Sequence, residues 1–172
     1  TTRGGQTLEA DQILFAIGRS PNTRGLGLEE AGVSLDAVGA VAVDTHSCSN
    51  VPGIFAVGDV TNRVNLTPVA IREGHAFADT QFGGKPWHVD YENIPTGVFS
   101  TPEIGTVGLS EEAARLRHGA IDIYETRFRP MRNVLAGREE RTVMKLVVVP
   151  ELDRVVGVHI LGPGAAEIVQ MA

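Results

Sequence analysis

Ile54-Phe55-Ala56-Val57-Gly58-Asp59-Val60 is the stretch on which the reading of the fold turns. Val51-Pro52-Gly53 precedes it as a turn. A short apolar run bounded by turn residues predicts a buried strand. In open α/β sheets ligands bind beyond the carboxyl ends of the strands. The Gly58-Asp59 pair at that end offers a carboxylate to a sugar or ribityl hydroxyl. Asp after Gly is also common in turns, and alone the pair reads more readily as a turn cap.

Working outward, a polar loop at Thr61 to Asn65 leads to Leu66-Thr67-Pro68. Thr67 reads as an N-cap and Pro68 as the first helical position. The helix runs to about Phe82 and ends at Gly83-Gly84-Lys85-Pro86. Its amino end points backbone N–H groups and partial positive charge at whatever lies in front, which suits a phosphate or a delocalised anion. An ordinary capped helix is the alternative, but the two features stand one short loop apart and reinforce each other. Upstream, Ile13-Leu14-Phe15-Ala16-Ile17 reads as a second buried strand, ended by Gly18-Arg19. Gly18 permits close backbone approach to a ligand. Arg19 either pairs with a phosphate or carboxylate or is solvated, the two readings weighing about equally. Val33-Ser34-Leu35 and Ala40-Val41-Ala42-Val43 read as strands around a turn at Asp36 to Gly39.

From Ile94 onward the text changes to strand, helix, strand, strand. Pro95 to Phe99 is the first strand. Ser110-Glu111-Glu112-Ala113 carries a Ser cap followed by acids at the positive end of a helix. Ile121 to Glu125 alternates as a half-exposed strand. Val143 to Val149 and Val155 to Leu161 form a hairpin around Pro150 to Arg154. Gly164 to Met171 begins a last helix. Phe128-Arg129-Pro130-Met131-Arg132-Asn133 is a basic loop with an apolar side chain at Met131, which suits an anionic pocket although such loops are more often solvated.

The chain has 172 residues, 42% of them hydrophobic, with 15 Lys+Arg against 21 Asp+Glu and a net charge of -6. A mildly acidic chain without a basic cluster is a poor binder of nucleic acid or anionic membrane. No apolar run approaches the ~20 residues that span a bilayer. The single Cys48 excludes an internal disulfide and a CxxC pair and points to a reducing, cytoplasmic compartment. The five histidines lack metal-ligand spacing, and His75, on the helix after Thr67, is the one worth following. G-x-G-x-x-G, G-x-S-x-G and P-loop signatures do not occur. The start without Met and the end inside a helix predict a piece of a longer chain.

AIGRSPNT at residues 16–23, LGLEEAGV at 26–33, NVPGIFAVGDV at 50–60, LTPVAIREG at 66–74 and IPTGVFSTPEIGTVGLSEEAA at 94–114 together resemble the flavin disulfide reductases. That family includes glutathione, trypanothione, mercuric and lipoamide enzymes, and the resemblance covers essentially the whole chain. LTPVAI resembles the glutathione and trypanothione branch, whereas lipoamide dehydrogenases usually carry LAH there, and FRPMRNVLAGR resembles the glutathione enzymes. The resemblance implies α/β and α+β architecture. Residues 1–18 would end an NADPH-binding domain, 19–93 would be the returning part of an FAD-binding domain, and 94–172 would be a truncated interface domain that forms a homodimer.

By the same resemblance Asp59 bonds the FAD ribityl chain and Thr67 faces the flavin through its backbone N–H. Asn65 and Leu66 pass near flavin and nicotinamide. Gly18 and Gly97 lie near NADPH, with Arg19 beside them, and Met131 lies near glutathione disulfide, the substrate. Some members have Arg directly after the EG or AG pair, holding a glutathione carboxylate. This chain has His75 there, a weaker contact. The family's CxxxxC disulfide and HPTxxE motif have no counterpart in these residues, so no catalytic residue is expected here and the isolated chain should not turn over. The competing expectation is a non-catalytic module that dimerises without cofactor.

Overall fold

A computed structural model describes residues 3–172. They fall into two compact units, one ending at Asp90 and one spanning Tyr91–Ala172.

The first unit is built mostly from turns. Its one long helix, α1 (Thr67–Gln81), buries Val69, Glu73 and Ala76. That is the i, i+4, i+7 spacing of a single helix face. Phe55 meets Phe77 of α1 with ring centroids 5.0 Å apart. Val33, Ala40 and Val41 form the other buried apolar group. Asp36 closes the turn between them by accepting from the N–H groups of Val38 and Ala40.

Four expectations for this unit are corrected. Residues 13–17 do not form a buried strand: Ile13, Leu14, Phe15 and Ile17 are 73–90% exposed. A strand of that kind needs hydrogen-bonded neighbours on both sides, and no described residue forms a ladder with it. Residues 54–60 likewise make only one bridge, Cys48 to Phe55, before Gly58–Thr61 winds into a 3-10 turn. The alternating stretches at 33–35 and 40–43 meet through the single bridge Leu35 to Val41 rather than as full strands. At the start of α1, Leu66 rather than Thr67 takes the cap position, with extended backbone, and no side chain caps the helix.

The second unit carries a five-stranded antiparallel sheet in the order β1-β2-β5-β4-β3. The strands are β1 (Thr96–Val98), β2 (Ile104–Gly108), β3 (Asp122–Phe128), β4 (Thr142–Val149) and β5 (Arg154–Leu161). β4 and β5 form the expected hairpin, joined by a 3-10 turn at Pro150–Leu152. Helix α2 (Glu111–His118) starts where Ser110 accepts from the Ala113 N–H at 3.2 Å. Ala114 of α2 packs with Ile121 and Val147.

The basic loop after β3 contains α3 (Met131–Leu135). The final helix is shorter than expected: α4 (Ala165–Ile168) passes at once into a 3-10 turn, Val169–Met171. Ala165 and Val169 pack with Val107 and Ile160. The register puts Val107 opposite Val158 and Gly105 opposite Ile160. Thus α4 and its following turn cover the face on which these residues alternate. A Cβ on Gly105 would overlap the Ala165 carbonyl, and one on Gly97 would stand 2.7 Å from the Ala166 Cβ. α4 lies directly on bare backbone.

Candidate functional site

The first unit brings the Gly-Asp turn and the start of α1 together, and the 3-10 turn packs on α1. Gly58 adopts φ +75°, and a Cβ there would lie 3.1 Å from the Ala70 Cβ, so both backbone and space call for glycine. This conformation sends the Gly58 N–H inward to the Glu73 carboxylate at 2.5 Å. Asp59, the next residue, remains 45% exposed through its side chain. Its carboxylate stands 3.5 Å from Arg19 Nε. Arg19 is thus both solvated, at 77% exposure, and beside a carboxylate of its own chain. With Arg19 three-quarters and Asp59 nearly half exposed, the pair contributes little stability.

Leu66 donates its N–H to Val64, and Ala70 donates back to Leu66. The first helical N–H groups of α1 therefore face outward from a start that carries no side-chain cap. Thr67 and Asn65 are exposed there, with Leu66 half-buried. Asn65 donates to the Asn62 side chain at 3.0 Å. Carboxylate, uncapped helix start and a cation 3.5 Å from the carboxylate are a donor and acceptor set that fits a polyhydroxylated, partly anionic ligand.

Gly18 and His75 belong to the same unit. Gly18 has φ +125° and open space around it. His75 is exposed on α1. Gly97 and Met131 belong to the second unit. Gly97 has a packing reason of its own, the contact with α4. Met131 is 83% exposed at the start of α3. Two residues on, Asn133 is 2% exposed and donates to the Glu140 carbonyl at 3.1 Å. Cys48 is a free, half-buried thiol. Desolvation, with Asp44 beside it, pushes its thiol pKa up, away from the thiolate form a nucleophile needs. A cleft of about 890 Å³ lies in the first unit but is lined by Pro21, Asn22, Thr23, Arg24, Glu29 and Val38 among others, none of them a predicted site residue.

Two residues behind the site were not singled out by motif. Glu73 is 2% exposed, and its Oε1 lies 3.1 Å from Arg63. Arg63 also donates to Ser47 at 3.1 Å, to Thr61 at 3.3 Å and to the Asp44 carbonyl at 3.4 Å. The spacing 69, 73, 76 already puts a charged residue on the buried face of α1, which is the signal that finds it. Among the described residues no group of three or more His, Cys, Asp or Glu side chains is placed to hold a metal ion. None of their helices is long and apolar enough to cross a membrane.

Residues 94–172 match the family model of the pyridine nucleotide-disulphide oxidoreductase dimerisation domain. Residues 1–74 match that of the pyridine nucleotide-disulphide oxidoreductases. The chain is 57% identical over 166 residues to glutathione reductase of Burkholderia cepacia, covering 96% of this chain and 37% of that one. It is 52% identical over 158 residues to the chloroplastic/mitochondrial glutathione reductase of Pisum sativum, covering 92% and 29%. Trypanothione reductase of Trypanosoma congolense is 44% identical over 171 residues, covering 99% and 35%. Among solved structures, the HOCl-induced flavoprotein disulfide reductase RclA from Escherichia coli superposes with a TM-score of 0.79 at 28% identity, over 91% of this chain and 36% of that one. The chain thus spans about a third of the length of the curated relatives it matches.

Proposed function

The chain belongs to the pyridine nucleotide-disulphide oxidoreductases, and on that premise we propose that it is part of an NADPH-dependent, FAD-containing glutathione reductase. Its first unit supplies part of the FAD site and its second unit the dimerisation surface of a homodimer. The observation that carries the reading is the half-exposed Asp59 carboxylate on a turn packed against the uncapped start of α1.

FAD, when bound, supplies the two-electron relay between a reduced nicotinamide and a disulfide. The work of this chain is binding and orientation. Asp59 would accept a hydrogen bond from a ribityl hydroxyl. The backbone at Thr67 presents N–H and helix dipole to the electron-rich end of the ring system. Asn65 and Leu66 line the approach, and Gly18 and Arg19, with Gly97, serve the nicotinamide dinucleotide. Met131, exposed on α3, and His75, exposed on α1, serve glutathione disulfide. A neutral imidazole at His75 holds a carboxylate more weakly than a guanidinium does. Only one cysteine lies in these 172 residues, so they contain no redox dithiol, and the chain alone does not turn over. The scarcity of cysteine suits a reducing, cytoplasmic setting.

Titration of the purified chain with FAD, followed by flavin fluorescence and the visible spectrum, tests the reading. The expected result is saturable binding that Asp59→Ala abolishes. Saturable binding indifferent to that substitution refutes the assignment of Asp59. A folded chain that binds no flavin refutes a preformed site.

A further inference from the structure

We infer that Glu73 is a positioning residue for the flavin site, one that fixes Asp59 relative to the start of α1 without touching the cofactor. The inference rests on the flavin reading above. Glu73 lies on the buried face of α1, two turns in from Leu66. One of its carboxylate oxygens accepts from the Gly58 N–H, the residue directly before Asp59. The other pairs with Arg63, on the segment that leads from Asp59 back to the helix. Arg63 in turn reaches Thr61, Ser47 and the Asp44 carbonyl, and Thr61 donates to the Gly58 carbonyl at 2.8 Å. One carboxylate therefore ties together the turn that carries Asp59, the loop that follows it and the helix whose amino end forms the other half of the site.

The burial of Glu73 needs a reason. A carboxylate that is 2% exposed is costly unless paired and hydrogen-bonded, and helix packing alone is served as well by an apolar side chain. What an apolar side chain cannot do is accept the inward-pointing Gly58 N–H. That bond fixes the orientation of the Gly58 peptide, and so the direction in which the Asp59 carboxylate leaves the turn. Supporting residues of this kind hold a binding group within a fraction of an ångström of its productive place.

The test compares FAD affinity with stability in the unaltered chain, in Glu73→Gln and in the double variant Glu73→Met with Arg63→Met. Gln keeps the size and an oxygen for the Gly58 N–H. The double variant keeps the packing volume, strands no charge and removes the acceptor. The double variant should weaken FAD binding at least about tenfold, the order that lost supporting contacts cost a ligand site. Glu73→Gln should stay within about threefold of the parent, because a neutral acceptor remains. Amide hydrogen exchange at Gly58 should be slow in the parent and in Glu73→Gln, and fast in the double variant. Parent-like affinity in a folded double variant, whatever its thermal midpoint, overturns the positioning role and leaves the flavin reading standing. Absence of flavin binding in the unaltered chain overturns both.

Discussion

Gly105→Ala should uncouple α4 from the sheet. The added Cβ would overlap the Ala165 carbonyl, with the Ala165 carbonyl carbon at 2.9 Å and the Val169 Cβ at 3.0 Å. Those are backbone atoms and a branched core side chain, so no flexible tip can swing aside. Overpacking of this type costs about 1–3 kcal/mol. Detachment of α4 and its following turn sets a ceiling. It would expose Ala165, Ala166 and Val169, each at most 4% exposed. At ~0.8 kcal/mol per buried methylene-sized group, five side-chain carbons amount to about 4 kcal/mol. Strain relieved by a shift of α4 is the cheaper route. The loss should therefore be about 1–3 kcal/mol, or roughly 4–20 °C in the midpoint of a unit of this size. Scanning calorimetry measures the midpoint, and hydrogen exchange at Ala165 to Val169 reports whether the loosening is local to α4. A midpoint within about 1 °C of the parent, with those amides still protected, would refute the direct seating of α4 on β2.

Ser110→Ala removes the acceptor for the Ala113 N–H and should cost the second unit about 1 kcal/mol by urea unfolding, with Ser110→Asp restoring it. Asp44→Asn should show a pH signature. The Asp44 carboxyl is held below its ordinary value chiefly by the Cys48 N–H, with the His46 N–H adding and partial desolvation opposing. A folded-state value below the unfolded one contributes stability above about pH 4 that is lost as pH falls through the folded value. The gap between parent and variant should therefore be full at neutral pH and close in acid, and a gap that persists unchanged at pH 2 would contradict it.

The second unit was legible because its signals are local. The β4–β5 hairpin joins neighbouring apolar runs, and Ser110 with two following acids marks the start of α2 within four residues. The first unit was harder for a definite reason. Residues 13–17 and 54–60 have strand composition, but composition records a preference for burial and not the presence of partners. Among the described residues one pairs with nothing and the other through a single bridge. The motif singles out Asp59 even though the strand supposed to carry it is a 3-10 turn. Thr67 was read as a cap from residue type, whereas the extended backbone of Leu66 moved the cap one position upstream and left the helix start bare. Glu73 was visible as a charge on an apolar helix face. Arg63 was not, since its partners at 44, 47, 61 and 73 are joined only by the folding of loops.

The exposed run at residues 13–17 also governs how the molecule behaves as a colloid. Ile13-Leu14-Phe15-Ala16-Ile17 has no charge, no proline and no glycine, and its side chains lie open to water. Such a stretch is a template for adding a strand from a neighbouring molecule, with every second side chain ready to interlock. The net charge of -6 works against close approach, but screening shortens its reach to ~8 Å at physiological ionic strength. Association through this run would strengthen at high salt and high concentration. Strand addition of this kind would not close at a fixed number of copies, so a broad mass distribution in sedimentation would be its signature.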